Sequence, residues 1–290
     1  MRYVVGYTEN DRGQDALELA TSLALTQSAS IDLVTILDWP QDGSVAPGSR
    51  RAQEALDRAK AGVPDGVEVT THVRLADSFA QGLIELASDA DAGLIVIGAS
   101  SNGLLRRFTV GSVANAVLHS SAVPVALASR GYRHRSAFTR MTCAVGTRAG
   151  AEGVLDVAVE SAARRGLPLR LVSLVALDVH ESAQSGEAIN QAHRHAHSVL
   201  ARAVGQLPEG HETSTTVAHG RTIEQAIDDI EWDAGELVIV GSSRLAQRRQ
   251  IFLGATANKM LRALPVPMVV VPRDWVRAAL TRAVTTPRPA

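Results

Sequence analysis

The residues best suited to chemistry in this chain are small ones. Gly98 closes the apolar run Leu94–Ile97, and the polar stretch behind it carries Ser101 and ends at Gly111, Ser112 and Val113. Glycines let backbone N–H groups approach a phosphate closely. A helix beginning at Ser112 would add unpaired N–H donors and the positive end of its dipole, both of which favour an anion. The pattern returns later as Gly241 and Gly254, with Arg244 and Ala255 at the places of Ser101 and Ser112. Arg106, Arg107, Arg248 and Arg249 lie inside the two stretches. Guanidinium forks suit phosphate oxygens, although loop arginines are most often merely solvated. A second reading of Gly111-Ser112 stays open, that of a plain N-cap, where Ser contributes about 1 kcal/mol with no ligand at all.

Other side chains point less clearly to chemistry. His193 and His197 would share one face of a helix at a spacing able to hold a metal. The inward stripe there is Ala188, Ile189, Ala192, Ala196, Val199 and Ala203, which leaves His193, His195 and His197 flanking a solvated surface. Cys143 sits in an apolar strand and reads as inert core. No Gly-x-Ser-x-Gly turn and no Walker lysine occurs, and neither Asp38 nor Asp77 is paired with a nucleophile. The expectation is a protein without catalytic turnover and without a bound metal of its own.

The elements that must position these residues occur twice. Asp91–Ser101 matches Ala234–Arg244, and Ala122–Arg130 matches Pro265–Arg273, at one constant offset that Gly111 and Gly254 keep. Upstream, Met1–Tyr7 matches Met141–Thr147, and Leu33–Ile36 matches Leu171–Leu174, with the small drift that loop insertions produce. In the first copy Tyr3–Tyr7, Ile31–Leu37, Val67–Val73, Leu94–Ile97 and Val123–Ala128 read as strands. Between them, Ala16, Leu19, Ala20, Leu23 and Ala24 form a helical stripe, followed by Ala52, Ala55, Leu56 and Ala59, then Ala80, Leu83, Ile84 and Ala87, then Val110, Val113, Ala114, Val117 and Leu118. In the second copy two stripes stand out, at Ile223, Ala226, Ile227 and Ile230 and at Ala257, Met260, Leu261 and Leu264. Strands separated by helices require a parallel sheet covered on both faces. The fold class is therefore α/β, with two tandem flavodoxin/Rossmann-like domains, each a five-stranded parallel sheet with helices on both faces. The domains are expected at 1–131 and 139–274, with a helical-looking Trp275–Val284 opening a tail at 275–290. Ligands of such sheets sit beyond the carboxyl ends of the strands where strand order reverses, which singles out Gly6–Thr8 and Gly98–Ser112.

Gly98, Gly111, Ser112, Val113 and the following VPVALA strand resemble the nucleotide loop of the universal stress protein family, whose pattern is Gly, two residues, Gly, nine residues, Gly, then Ser or Thr. Together with the element order and the duplication, the resemblance covers nearly the whole chain, as a tandem pair of such domains. It implies adenine-nucleotide binding in the first half, ATP with magnesium, with Gly98, Gly111 and Ser112 at the phosphates and ribose and the backbone of Ile36 meeting adenine. The chain departs from the family pattern in several places. Ser101 replaces the second glycine, Thr8 stands where ATP-binding members usually carry Asp after the first strand, and Asp77 occupies a common glycine position. The second site departs further, keeping Gly241 and Gly254 but placing Arg148 at the acidic position. The resemblance also implies that the halves pair through Val123–Ala128 and Val266–Val271 as an internal pseudo-dimer, with a homodimer as a further option.

Composition narrows the classes. Apolar residues make up 46% of the 290, charged residues 20%, and the formal net charge is -1. A nucleic-acid binder would usually carry a clear basic excess, and no apolar run reaches the ~18–20 residues that span a bilayer. The single cysteine excludes an internal disulfide and a multi-cysteine zinc site, and suits a reducing cytoplasm. Nucleic-acid and membrane partners are not expected.

Overall fold

The computed structural model describes residues 1–40, 48–99, 111–133, 136–145, 151–176, 186–242, 251, 253–272 and 275. Its first half runs β1 (Arg2–Gly6), α1 (Asp11–Gln27), β2 (Ser30–Leu37), α2 (Ser49–Ala61), β3 (Val69–Leu75), α3 (Phe79–Asp89), β4 (Leu94–Gly98), α4 (Ser112–Ser120) and β5 (Val125–Ala128). The second repeats the order as β6 (Arg140–Ala144), α5 (Ala151–Arg165), β7 (Leu169–Ala176), α6 (Gly186–Val204), β8 (Thr213–Gly220), α7 (Ile223–Asp228), β9 (Glu236–Gly241), α8 (Ala255–Ala263) and β10 (Met268–Val271). Local chemistry sets several helix starts. The Asn10 side chain accepts from the N–H groups of Arg12 and Gly13 at 3.1 Å each, and Ser78 and Thr222 cap α3 and α7 in the same way.

All strands join one ten-stranded sheet in the order β3-β2-β1-β4-β5-β10-β9-β6-β7-β8. Pairing is parallel within each half, and β5 meets β10 antiparallel with Val269 opposite Ala126. The halves therefore form an internal pseudo-dimer through their last strands, which leaves neither of those apolar edges bare. The core lies on both faces of this sheet, and each of its two layers takes residues from both halves.

Several sequence expectations shift. The third strand lies at Val69–Leu75, not Val67–Val73, because it pairs residue by residue with β2 from Ile31 to Leu37. Ile84 is only half-buried while Leu86 is buried, since α3 turns the latter toward the sheet. Val113, expected inward, is 39% exposed on the first turn of α4, where the stripe narrows to Ala114, Val117 and Leu118. Val110, the side chains of Ala188 and Ile189, and the residues of Trp275–Val284 after Trp275 lie outside what the structure describes. The seam after β5 is firmly packed: Tyr132 and Phe138 are buried, and the buried Asp15 of α1 accepts from the Gly131 N–H at 3.0 Å and from Arg133 at 2.5 Å.

Each half also buries a carboxylate at the amino-terminal edge of the sheet. Asp32 of β2 accepts from Arg2 at 2.9 Å and faces His72 Nε2 at 2.8 Å. Glu236 of β9 holds Arg140 of β6 at 2.9 Å, Arg170 of β7 at 2.6 Å and the Thr142 hydroxyl. Burial lowers the pKa of Arg170, an effect the Glu236 carboxylate opposes, and its guanidinium lies over the Trp232 ring at 4.8 Å.

Candidate functional site

Strand order reverses between β1 and β4, which run side by side with Val5 opposite Val96. The crevice beyond their carboxyl ends is the place such a sheet offers a ligand. Hydrogen bonds from Tyr7 N–H to the Val34 carbonyl at 2.8 Å, and from the Thr35 hydroxyl to the Tyr7 carbonyl at 3.0 Å, fix the exit of β1 against β2.

From there the chain climbs into α1, whose first turn is clamped on two sides. A Cβ on Gly13 would stand 2.0 Å from the Thr8 carbonyl oxygen, and one on Gly98 would stand 2.1 Å from the Arg12 carbonyl oxygen. Only glycine fits at either place. Thr8 and Gly98 are therefore brought together through this one turn of helix. Ile36 lies at the same edge of the neighbouring strand, with its side chain buried against α3, where a Cβ on Gly82 would come within 2.7 Å of it. Asp38 and Trp39 follow, both exposed, the indole at 59%.

Because β5 runs parallel to β4, α4 begins at this same carboxyl edge. Its N-cap is Gly111, at φ -62 and ψ 161, with no side-chain cap hydrogen bond; Ser112 is the first helical residue and is exposed. The plain capping role for Ser112 is thus corrected: it stands one position too late to cap, and the N-cap has no side chain. Asn115 is the first residue whose N–H bonds back into the helix, to the Gly111 carbonyl at 2.9 Å. The N–H groups of Ser112, Val113 and Ala114 therefore have no partner within the helix itself. Ser101, Arg106 and Arg107 lie outside the described residues.

In the second half Gly254 caps α8 at φ -66 and ψ 164, again with no side-chain cap, and Ala255 removes the hydroxyl. Gly241 ends β9 in a roomier place, where a Cβ would lie 3.3 Å from Val154 Cβ. Arg148, Arg244, Arg248 and Arg249 lie outside the described residues.

Electrostatics at the first site come from the β1–α1 loop. Glu9, next to Thr8, receives a hydrogen bond from Arg58 at 2.6 Å, which lowers its pKa and raises that of the guanidinium. Burial raises the Tyr7 pKa, and Glu9 adds to the rise. Sequence reasoning missed four residues here: Asn10, Gly13, Glu9 and Trp39. A glycine inside the first turn of a helical stripe and a lone tryptophan after an apolar strand were the legible signals for two of them.

Among the described residues no group of three or more His, Cys, Asp or Glu is placed to hold a metal. His193 instead stacks on His219 of β8, ring centroids 4.1 Å apart, while His195 and His197 face solvent. Cys143 is fully buried, and burial pushes its thiol up to about 12. No helix among the described residues is long and apolar enough to cross a membrane.

The profile of the universal stress protein family matches residues 1–129 and again 137–272. A universal stress protein of Mycobacterium tuberculosis is 30% identical over 298 residues, covering 94% of this chain and all of its own length. One of Mycolicibacterium smegmatis is 24% identical, covering 92% of this chain and 96% of its own. Among solved structures, a universal stress protein of Archaeoglobus fulgidus superposes with a TM-score of 0.65 at 17% identity, over 94% of this chain and 98% of that one, which shows the shared fold. With its strand order, its duplicated glycine-capped helices and these two matches end to end, the chain belongs to the universal stress protein family as a tandem pair of its domains.

Proposed function

We propose that the protein is a non-enzymatic stress-response or regulatory protein that binds an adenine nucleotide, ATP with its magnesium, in the first half. The observation that carries this reading is the glycine-capped start of α4 at the β1/β4 crevice, where the N–H groups of Ser112, Val113 and Ala114 face the edge that a phosphate would occupy. Thr8 and the Ile36 backbone would frame ribose and base, with Ser101 as the small residue of the loop. The exposed indole of Trp39 offers the base a stacking surface. Magnesium binds through one or two carboxylates plus substrate phosphates. Glu9, next to Thr8 in the chain, is already engaged by Arg58, so the ion would arrive on the phosphates. The working units are 1–131 and 139–274, in a cytoplasmic setting that accords with one deeply buried cysteine.

One observation favours a second reading, a ligand-independent interaction module. Gly98 is fully accounted for by its contact with α1, so its presence does not require a ligand. Nucleotide released by denaturing the purified protein, identified by ultraviolet absorbance and mass spectrometry, separates the two. Calorimetry with ATP should give at most one site per chain, lost in Gly111→Arg and kept in Gly254→Arg. The asymmetry follows from Ala255, since a hydrogen bond to a charged phosphate contributes about 1.5–3 kcal/mol. Two equal sites, or nucleotide only in the second half, would overturn the reading.

A further inference from the structure

The register of β5 against β10 relates the halves by a two-fold. Ala126 and Val269 are counterparts in the repeat and lie opposite one another. Val125 pairs with Val270, while its counterpart Met268 pairs with Leu127. A pseudo-two-fold axis therefore passes through the Ala126–Val269 pair, and any position close to the axis faces its own counterpart in the other half. One polar pair meets in this way. Helices α1 and α5 end alike: the Ala29 N–H returns to the Ala24 carbonyl at 3.2 Å and the Leu167 N–H to the Ala162 carbonyl at 3.0 Å. Each ending turns on a left-handed residue, Ser28 at φ 50 and Gly166 at φ 63. Gln27 and Arg165, each just before that residue, are thus counterparts, and both are half-buried.

With its oxygen toward the guanidinium, the Gln27 amide accepts from Arg165 Nε and Nη1 at 2.9 Å each and from Nη2. Its NH2 then donates to the Tyr3 hydroxyl at 2.6 Å. The opposite orientation would set an NH2 against a guanidinium. Arg165 Nη1 also donates to the Ser161 carbonyl at 2.9 Å. At a self-facing position, unlike residues select the partner. Two first halves joined through β5 would set Gln27 on Gln27, and two second halves joined through β10 would set Arg165 on Arg165. The first loses the charge from its hydrogen bond, and the second places two cations at contact in a half-buried spot. Glu160, on the same helix as Arg165, is already held by Arg164 at 2.7 Å. We infer that Gln27 and Arg165 are a recognition pair by which each half of the chain selects the other half, against a like half of a second copy. The pair closes the sheet within one chain and disfavours the open arrays that like-with-like joining of two-headed chains would build. This inference is independent of nucleotide binding.

Both like pairs can be built inside the full chain. Gln27→Arg sets two guanidiniums at the junction, Arg165→Gln sets two amides there, and the two substitutions together restore the mixed pair in reverse. At low salt Gln27→Arg should lower Tm by about 4–8 °C and Arg165→Gln by about half as much, while the exchanged chain stays within about 2 °C of the parent. In about 1 M salt, where the screening length is ~3 Å, at least half of the Gln27→Arg loss should be recovered and little of the Arg165→Gln loss. An exchanged chain as unstable as the two losses added together overturns the inference, because each residue then serves only the packing of its own half. A parental Tm in Gln27→Arg overturns it as well. If Gln27→Arg alone does not fold, a folded exchanged chain supports the pair and an unfolded one overturns it.

Discussion

Replacing Gly98 by Ala separates a packing role from a ligand role at the position that looks most like a phosphate contact. The new Cβ would lie 2.1 Å from the Arg12 carbonyl oxygen and 2.7 Å from its carbon, so backbone must retreat by about 0.9 Å to reach the 3.0 Å that real Cβ contacts respect. The first turn of α1 cannot give way easily. Asn10 holds it through two 3.1 Å hydrogen bonds, and Gly13 already touches the Thr8 carbonyl. Overpacking of this kind costs about 1–3 kcal/mol, a disturbed cap adds about 1 kcal/mol, and the stiffer unfolded chain returns about 0.4–1 kcal/mol. The net loss is about 1–3.5 kcal/mol, with about 2–3 as its middle. At roughly 2–4 °C per kcal/mol, Tm should fall by about 5–10 °C in a calorimetric scan without nucleotide. Gly241→Ala is the internal control, because among the described residues the nearest atoms to its Cβ belong to the Val154 side chain, at 3.3 Å. It should stay within about 0.5 kcal/mol of the parent. A stable Gly98→Ala that has lost only nucleotide, or a Gly241→Ala equally damaged, would refute the packing argument.

Val125→Lys should cost on the order of 3 kcal/mol, since the side chain is fully buried in the β5–β10 pair and an ammonium there would be desolvated. Small-angle scattering should show the halves loosening, and an unchanged envelope with unchanged stability would contradict the role of this seam. The Cys143 thiol, pushed up to about 12, should resist alkylation at pH 8 until the protein unfolds; rapid labelling of the native chain would show that the strand opens. Burial, and next the neighbouring His193, lower the His219 pKa below its usual value. The unfolded chain then binds the proton first, so this small contribution to stability is complete above about pH 6.5 and is lost as pH falls. In His193→Ala the proton resonance of His219 should titrate closer to its ordinary value, and an unmoved midpoint would rule out the coupling.

Most of the architecture was legible because it rests on periodicity. The stripes at Ala16–Ala24, Ile223–Ile230 and Ala257–Leu264 are buried as expected, since a helix against a sheet needs one apolar face and little else. The repeat then supplied the tandem arrangement, and the family resemblance the pairing of last strands. The illegible part depends on contacts between residues far apart in sequence. Gly98 looks like a ligand glycine in the chain, and the fold adds a helix–strand contact that sequence could not show, because its partner is the carbonyl of Arg12. Ser112 looks like a cap and stands one residue inside its helix. Asp15, Asp32 and Glu236 are ordinary surface acids by sequence, and only the fold shows their arginines.

Those buried acids also differ between two halves with one fold. The strand position of Asp32 in β2 is held by Arg170 in β7, and Arg2 in β1 corresponds to Thr142 in β6. The sign of the buried charge on the second strand is reversed, and Glu236 on β9 provides the compensating carboxylate. Breaking such a pair by removing one partner costs about 3–5 kcal/mol, because the remaining charge is stranded. Each network is therefore fixed as a unit, and a single exchange such as Asp32→Arg would set a cation beside Arg2 and His72. Both networks lie at the amino-terminal edge, whereas Gly111, Ser112, Gly254 and Ala255 lie at the carboxyl edge. Substitutions at the two edges share no partner, so their effects on stability should add. Ala255 could therefore enter the second half without cost to its buried charges.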